Sequence, residues 1–485
     1  MQRTIYFIYD DSLELPFSIK SVVGNRTFGR IIHKRVTLRE KIRTLLQNAG
    51  IEHIIEITQP EERHEIINRF KEKSFDSIFI HFFSKAVIVD PEKFLILLKK
   101  IVYSQSTSIN QEVDPYLLVF TNISDYAEYI KLLDKNQTIT KADLGDETLL
   151  ISPDGFAIDI SDIASFLNFF SSGFEARYFN QLIGDAHTLV KKSADKEKIL
   201  KEYHFYRLIP ELIKKWYVMP YDLKIEDEYA SYTMERLNVP DMALQWIHNS
   251  VSVRDFSTFL DKIFSFISSR PVRMISKDKY LRKFNDLYFQ KVLDRIKKLE
   301  NTDLFQKLHT YIVNGTEYTL DKIIEDYHKL YNKLVKEVKE YQEVIGHGDL
   351  CFSNILYDKN TYMMKFIDAK GALKEEDLWI DPYYDLAKLS HSILGNYDFI
   401  NNELFTVTLD HSLSLLFSLK SRSLNQHKEL FIEKVKQTGF DIRLIRLCEA
   451  SLFLSMLPLH IDNPRKVLGF ILNAIQIIEE LEQNV

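Results

Sequence analysis

The chain has 485 residues, of which 45% are hydrophobic and 27% charged, and its formal net charge is -6. That length is too great for one ordinary core and implies two or three domains, while the acidic balance excludes a global basic field for nucleic acid. The two cysteines, Cys351 and Cys448, form no CxxC or Cys/His metal spacing, and no apolar run approaches the ~20 residues of a membrane span, so a reducing cytoplasm is expected, with no membrane partner.

In chain order, the N-terminus reads as a first strand, Ile5 to Tyr9, rather than a signal peptide. Further strands are expected at Ile54 to Ile57, Ser77 to Phe82 and Tyr116 to Phe120, alternating with helices at Leu38 to Ala49, Pro60 to Lys71 and Pro91 to Tyr103. This alternation predicts an α/β layer with a mainly parallel sheet over residues 1–172. Residues 173–239 read as strands around one helix. Residues 240–485 read as mostly helical, with short strands near Ile345, Ile355 and Lys365. The basic cluster Arg295, Lys297, Lys298 shares its helix with Asp294 and Glu300 and is read as a solvated face.

The most informative stretch is His347-Gly348-Asp349-Leu350-Cys351-Phe352-Ser353-Asn354. Phosphoryl transfer to an alcohol needs a carboxylate to take the hydroxyl proton and an oxygen ligand for Mg²⁺ a short loop away. Asp349 and Asn354 supply both, and Cys351 is read as packing. Downstream, Asp368 ends a short apolar strand with Gly371 three residues on, which suits a second hard-oxygen metal ligand. Asp381-Pro382-Tyr383-Tyr384-Asp385 then opens a helix, where Asp385 is expected to cap free N–H groups and brace a neighbouring loop.

The HGDxxxxN, IDxxG and DPxYDLA motifs in this order resemble the aminoglycoside phosphotransferase and choline kinase family over about Gly173 to Val485. The resemblance implies a bilobal α+β protein-kinase-like domain: an N-lobe at 173–239 and a mostly helical C-lobe at 240–485 with a helical substrate insert, about Asp241 to Gln342. It implies that Asp349 is the catalytic base, that Asn354 and Asp368 hold Mg²⁺, and that His347 and Asp385 support the loop. It also implies a strand lysine and a helix glutamate that position ATP phosphates. Glu202 fits the glutamate. Lys192 is favoured for the lysine because it puts Val190 on the same strand face above adenine, with Lys191 as the alternative. Tyr232 to Leu237 resembles the hinge, with Met234, Glu235 and Leu237 as nucleotide contacts. The hairpin before Lys192 departs from the pattern: it has only Gly173 and Gly184 and no GxGxxG.

Within residues 1–172, the order of a strand, the stretch Leu15-Pro16-Phe17-Ser18-Ile19-Lys20-Ser21-Val22-Val23-Gly24, a helix, then Ala49-Gly50-Ile51-Glu52-His53-Ile54-Ile55-Glu56-Ile57 resembles, in layout, nucleotidyltransferases that make activated sugars or choline. Tyr9-Asp10-Asp11-Ser12 stands where those enzymes have a Gly-rich loop, and His81-Phe82-Phe83-Ser84 stands where they have a metal aspartate. The expectation is therefore an inactive domain, with Asp10, Asp11 and Asp90 as turn or cap residues. The combined reading is an ATP- and Mg²⁺-dependent kinase for a hydroxyl of a small molecule, a sugar or amino alcohol, with a hint of bacterial surface polysaccharide (capsule) metabolism by analogy. The alternatives are a bifunctional kinase and nucleotidyltransferase, or a non-catalytic nucleotide-binding scaffold. A protein kinase is disfavoured because Asp368 and Asp381 are only thirteen positions apart. The charges Arg270, Arg273, Lys279 and Arg282 are candidates to meet an anionic substrate or to form an exposed helix face.

Overall fold

The computed structural model describes residues 3–71, 77–135, 138–151, 155–171, 180–184, 187–411, 415–419 and 424–484. The chain divides into two compact units, Met1–Phe174 and Glu175–Val485. Gly173 lies outside the described residues. Among the described residues, no helix is long and apolar enough to cross a membrane.

The first unit is built on a six-stranded sheet in the order His53–Ile57, Thr4–Asp10, Ser77–Phe83, Leu117–Phe120, Ser108–Ile109, Leu149–Leu150. Its first three strands are parallel, with Phe7 opposite Ile54 and Ile80. Leu117–Phe120 runs antiparallel to Ser77–Phe83 and to Ser108–Ile109, while the other three strand pairings are parallel, so the sheet is mixed with parallel pairings in the majority. The reason lies in the connection: Ser108–Ile109 pairs back onto Leu117–Phe120 as a tight antiparallel ribbon, and a parallel return would need a long crossover. The central strand buries Phe7, Ile8 and Tyr9 with Ile80, Phe82 and Phe94 in one core. Each such side chain contributes about 1.5–3 kcal/mol relative to exposure. The helix Leu38–Asn48 starts at a capping box, in which Thr37 accepts from Glu40 N and the Glu40 side chain accepts from Thr37 N. Asp90 caps the helix Pro91–Ile101 by accepting from Lys93 N.

In the second unit, a four-stranded antiparallel sheet has the order Asn180–Gly184, Thr188–Ser193, Ala230–Glu235, Pro220–Ile225. The helix Lys196–Leu208, capped by Asp195, packs on this sheet through Ile199 and Tyr203 against Tyr232 and Met234. The rest is mostly helical. Val253–Ser269, Lys277–Asn285, Lys291–Glu300, Leu320–Leu334, Pro382–Ile393, Ile442–Met456 and Pro464–Asn484 are its main helices. Among them lie the hairpin Ile355–Asp358 with Met363–Phe366, and the strand Gln342–Ile345 that feeds the HGD loop. Cys448 is buried in this helical core, and neither cysteine forms a disulfide.

Candidate active site

Two strand ends and one helix start converge in the second unit. Gln342–Ile345 runs into His347-Gly348-Asp349, Met363–Phe366 runs into Ile367-Asp368, and Pro382–Ile393 presents Asp385 one turn inside its N-terminus. The N-cap of that helix is Asp381, whose carboxylate accepts from Tyr383 N at 3.0 Å and from the Tyr288 hydroxyl at 2.9 Å. The capping expected of Asp385 therefore belongs to Asp381. Asp385 is buried and braces the loop: its oxygens accept from His347 N at 3.0 Å and Gly348 N at 2.8 Å. Arg270 balances its charge from 3.1 Å and itself donates to the carbonyl of Ile267. Two adjacent amides on one carboxylate, paired with a buried guanidinium, fix the loop backbone.

His347 locks the loop to its neighbour. A backbone amide can only donate and a carbonyl can only accept. The Asp349 amide therefore donates to Nδ1 at 3.1 Å, and Nε2–H donates to the Ile367 carbonyl at 2.9 Å. The ring stacks on Tyr217, and burial holds its pKa below the usual value, against the pull of Asp385 and Asp349. A neutral imidazole suits this bridge. Gly348 has φ +79, and a Cβ there would come within 2.6 Å of Lys370 Cβ, so glycine is required for both conformation and space.

Asp349 is held differently. Its side chain is 42% exposed, and Lys388 Nζ lies 2.8 Å from Oδ1, an ion pair rather than an aligned hydrogen bond. Burial around it raises the carboxyl, but Lys388, His347 and Asn354 outweigh that effect and keep it below the ordinary carboxylate range. The Asn354 Nδ2 donates to the Asp349 carbonyl at 2.8 Å, and Ile367 N donates to the Asn354 carbonyl at 3.1 Å. These bonds tie Asn354 to both motif loops. The Cys351 thiol is buried and pushed up to about 12, which leaves it a packing group.

The lysine reached by Glu202 is Lys191. Its Nζ lies 2.7 Å from Glu202 Oε2 and 2.7 Å from Asp368 Oδ1. Burial alone would lower its pKa, but Asp368 and Glu202 outweigh it and raise the ammonium. Burial raises Glu202, against the pull of Lys191 and with the like charge of Asp368, and the Tyr232 hydroxyl donates to it at 3.0 Å. The preference for Lys192 is corrected. Leu189 and Lys191 share the strand face that meets the helix, and Lys192 turns to the other face, its Nζ 3.4 Å from the Tyr229 ring centroid. Val190 therefore lies on the Lys192 face, not the Lys191 face. Asp368 sits at φ +57, a strained conformation for a non-glycine residue that its contacts maintain. Gly371, at φ +85, touches Lys201 on the Glu202 helix, where a Cβ would come within 2.7 Å of backbone.

The hinge residues are spread out. Met234 is buried opposite Leu189, the Glu235 side chain is exposed, and Leu237 lies past the strand end. Behind Met234, beside Glu202 and Asp368, is a cavity of about 30 Å³, room for about one water rather than a purine. Arg273 pairs with Glu343 and Glu376, and Lys279 reaches Glu376 at 3.7 Å, so neither of these candidates for an anionic substrate is uncommitted, and Arg270 is spent on Asp385. Sequence reasoning missed Lys388, and it read Arg270 as a candidate for an anionic substrate rather than as the partner of Asp385. The signal for Lys388 was available, since it lies three residues after Asp385 on the same helix.

Among the described residues, no group of three or more His, Cys, Asp or Glu could hold a metal ion. The two-oxygen set Asn354 and Asp368 fits the smaller demand of Mg²⁺, which keeps water and phosphate ligands. Asp368 is 41% exposed on its side chain with Lys191 on Oδ1, and Asn354 spends its amide nitrogen on the loop rather than its oxygen.

No family model matches the chain, and no curated protein matches it. Among solved structures, aminoglycoside phosphotransferase APH(4)-Ia is similar at 10% identity over 66% of this chain and 99% of that chain, with a TM-score of 0.38. A thermostable mutant of that enzyme, in ternary complex with AMP-PNP and hygromycin B, is similar at 10% identity over 65% of this chain and 98% of that chain, with a TM-score of 0.36.

Proposed function

We propose that residues 175–485 form an ATP-dependent phosphotransferase acting on a hydroxyl of a small molecule. The observation that carries this reading is the convergence of Lys191, Glu202 and Asp368 in one ion-pair cluster, tied through Ile367 and Asn354 to the Asp349 loop. A lysine held between a helix carboxylate and a loop carboxylate, next to a second carboxylate five residues before an asparagine, is the set that phosphoryl transfer uses. In this reading Lys191 holds the α- and β-phosphates and Glu202 orients it. Met234, Glu235 and Leu237 border the adenine. The acceptor oxygen attacks the γ-phosphorus, the bond to the ADP oxygen breaks, and the hydroxyl proton passes to Asp349. Lys388 keeps Asp349 ionised before transfer and stands beside the incoming phosphoryl oxygens. Asn354 and Asp368 would hold Mg²⁺, which, when bound, neutralises charge on the phosphate oxygens.

For the first unit, the reading is a nucleotidyltransferase-like layout without the chemistry. Its support is local: Asp10 is buried, with Arg63 Nε at 2.8 Å and His81 Nε2 at 3.0 Å, and Asp11 accepts from Gly29 N at 2.7 Å and Thr27 at 2.6 Å. Carboxylates so engaged are poor metal ligands. The test uses the full chain. Calorimetric titration of AMP-PNP with and without Mg²⁺, followed by an ATP-consumption screen over sugars and amino alcohols, is expected to show Mg²⁺-dependent binding and acceptor-dependent turnover. Absence of nucleotide binding overturns the kinase reading. Pyrophosphate release from nucleoside triphosphates with sugar phosphates overturns the inactive reading of the first unit.

A further inference from the structure

Next to the Asp349 loop lies a cavity of about 640 Å³, between the helices Lys277–Asn285 and Lys291–Glu300 and the segment from Lys370 to Tyr384. Two of its walls continue the candidate site. Lys370 donates its amide to the His347 carbonyl at 2.9 Å and packs its side chain on Gly348, and Tyr384 adjoins Asp385, one turn before the Lys388 that pairs with Asp349. The helix wall is irregular: Asp286–Gln290 opens into a π turn, a feature common near binding sites, and Lys291 follows it directly.

The charges in this cavity do not cancel. Glu343 is taken by Arg273 and Lys283. Asp381 is half-buried and hydrogen-bonded to Tyr288 and Tyr383 N, and desolvation pushes it up to about 6 despite those bonds. What faces the space beyond Asp286 and Asp294 is Lys291, Arg295, Lys298 and Lys370. Neither the Lys291 nor the Lys370 ammonium has a hydrogen bond or ion pair to any described residue. Lys291 is half-buried over the Tyr384 ring, and burial, then the charges of Lys388, Arg295 and Lys370, lower its pKa to about 8 against the pull of Asp349. A desolvated cation among other cations is costly unless an anion joins it.

We propose that the hydroxyl acceptor is an anionic alcohol, whose phosphate or carboxylate binds Lys291 and Lys370 while its hydroxyl faces Asp349. This rests on the phosphotransferase reading for the hydroxyl and on the cavity alone for the anion. A pocket for a cationic amino alcohol would need the opposite charges. The anion anchors one end of the acceptor by charge-assisted hydrogen bonds, and neutral sugars lack that anchor.

Two experiments on the full chain test it. In the first, ATP consumption is compared across sugar monophosphates, sugar acids, neutral sugars and amino alcohols. Anionic acceptors are expected to exceed the others in kcat/KM by at least about tenfold. Lys291→Met is expected to raise the acceptor KM by about tenfold or more with a smaller change in kcat, and Lys291→Arg to restore most of it. A neutral or amino alcohol as the best acceptor overturns the proposal. The second needs no turnover: Lys291 is acylated near pH 8, and protection by inorganic phosphate, acetate, glycerol or AMP-PNP is read by mass spectrometry. Protection by phosphate or acetate but not glycerol supports the anion site, and which of the two protects tells phosphate from carboxylate. Protection by either without any kinase turnover keeps the anion site and counts against the kinase reading. No protection by either oxyanion, or protection by AMP-PNP alone, overturns the proposal.

Discussion

Each unit buries a carboxylate against an arginine, and the two constellations end differently. In the first unit, Asp10 accepts from Ser12 on one oxygen and lies against Arg63 and His81 on the other, so its bonds close on themselves. In the second, Asp385 takes Arg270 and spends its remaining capacity on the amides of His347 and Gly348, the loop that carries the half-open Asp349. The same buried pair is a structural terminus in one unit and a foundation in the other. A buried ion pair is therefore not evidence of function. What it holds up, and whether that group reaches solvent, decides.

The strongest way to break this comparison is Asp349→Asn. Turnover is expected to fall by about 10²–10⁴-fold, with AMP-PNP affinity nearly intact by calorimetry. A variant that keeps a tenth of wild-type turnover removes Asp349 from the chemistry and leaves the two units alike. Next, Arg63→Met and Arg270→Met each strand a buried carboxylate and are expected to cost about 3–5 kcal/mol by denaturant unfolding of the affected unit. Only Arg270→Met is expected to lower turnover beyond its effect on folding, because only that carboxylate orders a loop with an exposed base. Equal activity losses in the two variants would erase the distinction.

Lys191→Met is expected to reduce kcat/KM for ATP by about 10²–10³-fold. Lys192→Met is expected to stay within about twofold, since a surface change away from such a network is worth about 0.5 kcal/mol. The reverse order would restore Lys192 as the phosphate lysine. The smallest effect concerns pH. His347 is neutral in the fold with its pKa below the ordinary 6.5, mainly through burial. As pH falls through 6.5 the unfolded chain takes up that proton first, so the stability due to neutral His347 is complete above 6.5 and is lost below it. Calorimetric Tm values of the second unit's transition are expected to fall between pH 7 and 5, and to fall less steeply in His347→Asn. An unchanged slope would mean the bridge tolerates the proton.

Much of the candidate site was legible because its chemistry is local. His347 to Asn354 places a carboxylate and an amide on one turn, and a helix start at Asp381-Pro382 was readable, although the cap was expected of Asp385 and falls to Asp381. The choice between Lys191 and Lys192 was not legible. The run Thr188-Leu189-Val190 is apolar on both strand faces, so periodicity could not say which lysine points inward. The antiparallel pairings in the first unit's sheet were hidden in the same way, because the two-residue strand Ser108–Ile109 is too short to carry an alternation.

By itself the sequence determined which residue types were present for the chemistry, their order, and the short-range turns and caps that expose them, since these depend on neighbours a few positions apart. Only the tertiary structure decided their partners. Lys191 meets Asp368 across 177 positions, and Arg270 meets Asp385 across 115. The cavity with Lys291 and Lys370 exists only where an irregular helix turns beside the HGD loop. Charges converge there through packing of distant elements, and sequence spacing carries no record of which side chains are left without a counter-charge.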